Sequence, residues 1–191
     1  MPNLRLFIFM LFFPAGLGLS IQLLQVKTHA ERLLALSLLI FCLELAHMAW
    51  VDFKTIQTVS QASEDSRLKL FFKVVFSTVV LEVFGFYGAL VSLRWGGIVV
   101  IASQLWFNLL AKVQLWPGKT PAVEAFGISQ RLPVLVANSL SVVLLLFWAI
   151  PENRIWLSMA LLILIISFLF IKYIVLRDQS SIGQTDQADC E

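Results

Sequence analysis

Charge is the scarcest commodity in this sequence. Only 14% of its 191 residues are Asp, Glu, Lys or Arg, while 59% are hydrophobic and the mean hydropathy is +0.87. Soluble domains carry about 25% charged residues and about 45–50% apolar ones. A chain this poor in polar groups cannot cover a core in water. Its polar stretches reach only about twenty residues, too short for an independent soluble domain. The net charge of +2 excludes the basic footprint of a nucleic-acid partner.

Cysteine and histidine are nearly absent. Cys42 lies inside an apolar run and reads as a small buried residue, while Cys190 does not fit the four-residue prenylation box. No CxxC or other metal-ligand spacing occurs. The histidines are His29 and His47, and the second forms a Glu44-x-x-His47 pair. Di-iron helical bundles need two such motifs and two further carboxylates, so one motif does not make that centre. No GxSxG, HExxH or dinucleotide fingerprint is present, and Gly118-Lys119-Thr120 lacks the first glycine of a phosphate loop because Val113 stands there. These absences lead us to expect no catalytic residue, no metal site and no cofactor, and a protein that is not an enzyme.

What is present is a series of apolar runs, all but a short fourth one of membrane-spanning length, about 18 residues or more. They cover 4–24, 33–51, 70–92, 96–111, 132–150 and 155–176. The fold expected is an all-α integral membrane protein of six transmembrane helices in three hairpins. Residues 1–176 would form one polytopic domain, and 177–191 a disordered polar tail. Arg5, the apolar 6–13 run and the small residues after Pro14 also resemble a signal peptide. Cleavage there would leave five spans; a retained helix kinked at Pro14 fits the length better.

Connections are expected at 25–32, at 52–69 with Ser63 capping the next helix, at a tight 93–95 turn, at 112–131 as a plain or docking loop, and at 151–154. Ten of the fourteen Lys and Arg residues fall at the N-terminus, 52–73, 112–131 and the C-terminal end. The positive-inside rule then places both termini in the cytoplasm, or on the equivalent stromal side. Trp95, Trp148 and Trp156 at one face and Trp50 and Trp116 at the other suit interfacial belts.

Helical spacing gathers the polar residues of the spans into stripes. Glu44 and His47 share one on the second span, Glu82 sits above Gly85 and Ala89 on the third, and Gly97, Gln104 and Asn108 share one on the fourth. The fifth contributes Asn138, and the sixth reads as the lipid-facing exterior. At 1.5 Å per residue, Glu44, Gln104 and Asn138 lie about 9–10 Å from the cytoplasmic ends. His47 and Asn108 lie about 5–6 Å deep, and Glu82 about 18 Å, alone near the midplane. The expectation is an inner-leaflet polar cluster of Glu44, His47, Gln104, Asn108 and Asn138, with Glu82 above it. Glu44 and His47 would satisfy each other or the amides of Gln104 and Asn108. Gly85, Ala89 and Gly97 would allow close helix packing.

Three functional readings follow. Plentiful packing features and absent catalytic ones favour an accessory, assembly or stabilising factor of a larger membrane complex. Its partners would be the lipid bilayer and other membrane proteins or a second copy, in a bacterial inner or thylakoid-type membrane. The alternative is a small proton- or ion-coupled transporter using Glu82 with the Glu44/His47 cluster, since an intramembrane carboxylate is a functional hypothesis by default. The third is a membrane metalloenzyme or redox protein.

Overall fold

The computed structural model describes residues 4–62, 65–116 and 122–188, with the side chains of 116, 122 and 175–188 outside the described set. Six helices there are long and apolar enough to cross a membrane. They are α1 (Leu4–Gln25), α2 (His29–Ala62), α3 (Ser66–Val91), α4 (Leu93–Leu110), α5 (Ile128–Phe147) and α6 (Arg154–Ala188). A short 3-10 turn, Pro151–Asn153, leads into α6. The all-α multi-pass architecture expected from composition is the one observed.

Inside a bilayer, lipid tails are as apolar as leucine, so helices associate through close packing and interhelical hydrogen bonds. α1 runs unbroken through Pro14 and buries Ile8, Phe12, Ala15 and Leu19. At its end the Gln22 amide donates to the carbonyl of Leu90 on α3 (2.6 Å). α3 and α4 are joined through Ser92 alone, so the turn expected at 93–95 is already helix. The hairpin closes tightly because Gly85, Ala89 and Gly96 meet at the crossing. A Cβ on Gly96 would collide with the backbone N and Cα of Ala89, and one on Gly85 would stand 2.6 Å from a methyl of Val100. Gly97 faces Leu38 and Leu145 instead, which makes it a packing residue towards α2 and α5.

Two arginines hold α4 and α5 together at opposite ends. Arg94 donates to the carbonyls of Leu145 and Leu146 at the end of α5 (3.0 and 3.1 Å). Arg131, buried at the start of α5, donates to the carbonyl of Asn108 near the end of α4 (3.1 Å) and stacks on Phe126. The last carbonyls of a helix have no intrahelical partner, and a guanidinium there is favourable to both hydrogen bonding and the helix dipole.

Two further connections differ from expectation. The 52–69 segment is largely helix: α2 spans 34 residues, about 51 Å at helical rise, and overruns a hydrocarbon layer of about 30 Å. Phe53, Ile56 and Val59 recur at helical spacing in it, and Ile56 and Val59 bury against Leu68, Phe71, Val74 and Val75 of α3. Ser63 lies outside the described residues. α3 is capped by Asp65, whose carboxylate accepts from the Arg67 backbone (2.8 Å) and pairs with its guanidinium (2.6 Å). Those hydrogen bonds hold the Asp65 carboxyl below its ordinary range.

The 112–131 loop contains an antiparallel hairpin, β1 (Val113–Trp116) with β2 (Ala122–Ala125), pairing Val113 with Ala125 and Leu115 with Val123. Val113 is buried in the second core under α2 and α3, and Arg67 reaches the Val123 carbonyl (3.1 Å). Strand alternation turns Val113 inward, which is why a four-residue β segment forms where turn residues suggested only loop.

The belt of tryptophans is also partial. Trp95 and Trp156 are exposed, but Trp148 is buried; its indole donates to the Ser158 hydroxyl (2.8 Å) under the guanidinium of Arg154. α6 presents Ile163, Ile166, Phe170 and Ile171 outwards, yet buries Ser158, Leu161 and Ile165 against the bundle. It is half lipid-facing exterior and half wall of the site described next.

Candidate functional site

Five of the six helices, all but α1, surround a cavity of about 80 Å³. One water needs about 10–15 Å³ on that measure, so several fit. Aromatic and aliphatic groups make most of its wall, with polar side chains contributed by every helix that borders it.

α2 supplies Glu44, Met48 and Asp52, spaced i, i+4 and i+8 on one helical face. Across from them α6 supplies Lys172, whose ammonium pairs with the Glu44 carboxylate and lies 2.6 Å from the Met48 sulfur. Asp52 makes no hydrogen bond among the described residues and stands within electrostatic reach of Lys172. α3 supplies Glu82, only 3% exposed, and α4 supplies Gln104, whose amide donates to Glu82 Oε1 (2.5 Å). α5 adds Asn138 and Ser141. The Ser141 hydroxyl is satisfied by the Ala137 carbonyl, as Thr78 on α3 is by Val74. The Asn138 amide nitrogen is buried without a hydrogen-bond partner among the described residues.

The electrostatics follow from this inventory. Three carboxyl groups, Glu44, Asp52 and Glu82, share the cavity with one ammonium group. Isolated charges in hydrocarbon cost at least about 2.5–3.5 kcal/mol on insertion scales. Lys172 answers for Glu44. Nothing cationic among the described residues contacts Glu82, which therefore either holds a proton or meets a cation from outside the chain.

Of the six residues expected to cluster, the cavity gathers four: Glu44, Glu82, Gln104 and Asn138. His47 is a correction. It is exposed, with its ring 5.8 Å from that of Trp50, and points away from the cavity. Trp50 in turn carries the cations of Arg5 and Lys54 over its ring, so this patch belongs to the helix exterior. Asn108 is buried but outside the cavity, donating to the backbone carbonyl of Gln104 (2.8 Å). Glu82 is not alone, since Gln104 reaches it, and Glu44 is satisfied by Lys172 rather than by His47 or the amides. Sequence reasoning passed over Asp52 and Lys172, counting both as outside the spans' interior; the i+8 relation of Asp52 to Glu44 was the available signal. Among the described residues, no three His, Cys, Asp or Glu side chains converge in a geometry that could hold a metal ion.

No family model matches the sequence, and neither a curated protein nor a solved structure shows detectable similarity to it. The fold and the cavity define a class by themselves: an all-α multi-pass membrane protein with an ionisable cavity inside its helical bundle.

Proposed function

We propose that this protein is a small proton-coupled carrier whose transported solute enters the cavity between α2 and α6. The observation that supports it is Glu82: an almost wholly buried carboxyl, held by a single amide, in a cavity large enough for water and lined by two further acids. A carboxyl in that setting exchanges a proton for a cation, or moves a proton with a solute, at a modest change in charge burial. The Glu44–Lys172 pair ties α6 to α2 across the cavity.

The accessory reading draws its motive from small-residue faces, and these are occupied within the bundle: Gly85, Ala89 and Gly96 between α3 and α4, Gly97 against Leu38 and Leu145. Self-association and docking on other membrane proteins remain open to the lipid-facing sides of α5 and α6. The membrane we assign is a bacterial inner or thylakoid-type one, because outer-membrane spans are closed β-barrels.

The test is proton flux. Proteoliposomes enclosing a pH-sensitive dye, given an imposed pH step and a mixed pool of small amines, carboxylates, sugars and amino acids, should show solute-dependent proton movement. Glu82→Gln should abolish it while keeping the gel-filtration profile and thermal midpoint of the parent. Equal flux in the variant, or none beyond that of empty vesicles, overturns the proposal and returns the accessory reading.

A further inference from the structure

The cavity also specifies what kind of solute it takes, an inference that rests on the carrier reading above. Lys172 balances one of three acids, leaving an excess of two carboxyls, Asp52 and Glu82, in the same cavity. Once either carboxyl gives up its proton, that excess disfavours anions and leaves a neutral solute an incomplete partner. Most of the remaining wall is apolar and aromatic, with Phe41, Phe107 and Phe168 among its members. Aromatic faces attract cations, more strongly when water is excluded. Asn138 adds an independent sign, a buried amide donor with no partner among the described residues, which calls for an acceptor atom from a ligand or water. The donor set does not converge as a metal site does.

We propose that the cavity binds a small organic cation: a protonated amine on an apolar or aromatic body, its ammonium shared by Glu82 and Asp52, its body against the phenylalanines, and any acceptor atom it carries meeting Asn138. Two free carboxyls also give the exchange a stoichiometry. One amine entering as its cation displaces one proton from the pair, so the net charge inside the bundle does not change. The other charged or titratable groups around this pair are Glu44 of α2 and Lys172 of α6, already joined, and the Cys42 thiol of α2.

Benzylammonium and its neutral near-isostere benzyl alcohol are the probes. Titrated calorimetrically into the full chain in nanodiscs at neutral pH, benzylammonium should bind saturably at one site and benzyl alcohol more than tenfold more weakly, as expected when a buried charge loses its partner. Glu82→Gln and Asp52→Asn should each weaken benzylammonium by more than tenfold. His47→Gln, outside the cavity, should bind as the parent does. The comparison of the two probes on the unmodified protein needs no variant to fold. Equal affinity for both, or no saturable binding of either, overturns the inference. Solute-dependent proton flux that vanishes in Glu82→Gln but is driven by a carboxylate or sugar overturns this inference alone; loss of that flux requirement overturns the carrier reading as well.

Discussion

Glu44 and His47 are three residues apart, yet only one reaches the cavity. At about 100° per residue, the α2 positions that line it (Phe41, Glu44, Leu45, Met48, Ala49 and Asp52) centre on one face, and His47 lies roughly 130° from that centre. Stepping from Glu44 towards residue 47 followed a stripe on the wrong side; stepping to Met48 and Asp52 finds the right one. The Lys172–Glu44 pair gives a prediction at this scale. Both side chains are about one-fifth exposed, so solvent moderates their attraction. Lys172→Ala should lower stability in detergent by about 1–3 kcal/mol, the range for hydrogen bonds to charged groups and for leaving one unmet. Glu44→Gln combined with Lys172→Met should recover most of that loss. A double variant as unstable as the sum of the singles would show that the pair is not coupled.

Among the elements, the α3–α4 hairpin decides where the buried carboxyl goes. Depth counted separately along each helix from its cytoplasmic end put Glu82 about 8 Å beyond Gln104. Counted from their common turn at Ser92, the two stand about 15 Å and about 18 Å down their helices, close enough for the hydrogen bond observed. Their approach depends on Gly96, where no side chain fits. Gly96→Ala should destabilise the protein by about 1–3 kcal/mol or more, the cost of overpacking against a backbone that cannot rotate aside. Gly88→Ala is the matched control: its Cβ would find only the Gly96 Cα, at 3.7 Å, an ordinary contact. Thermal midpoints in detergent compare the two; equal shifts would remove the crossing's claimed role. Gly85 and Ala89 were legible as a close-packing pair because their spacing is local. Gly96 was not, since its partner lies across the turn.

For the whole molecule, the excess of Lys and Arg at one set of helix ends predicts both termini in the cytoplasm, and the position of the cavity inherits that orientation. Asp52 and Lys172 would then mark its cytoplasmic side. In a background without Cys42 and Cys190, a membrane-impermeant maleimide applied to intact spheroplasts should label Glu152→Cys, in the turn before α6, and spare Lys54→Cys, on the extension of α2. The reverse pattern would invert the molecule and turn the cavity's charged end outwards.

Membrane residence and six apolar spans were readable from the sequence because they depend on sums along the chain. Each residue's preference for hydrocarbon or water adds to its neighbours', and a run of about twenty suffices to show it. The helical overrun at 52–62 and the small hairpin at 113–125 were hidden because their apolar residues are few and find their partners on α3. The cavity belongs wholly to the tertiary structure. Which of the intramembrane polar groups meet is set by the rotation of each helix about its axis and its register against the next. Those follow from contacts such as Gly96 on Ala89 across the turn, and Arg94 on the end of α5 and Lys172 on Glu44, which join residues distant in the chain.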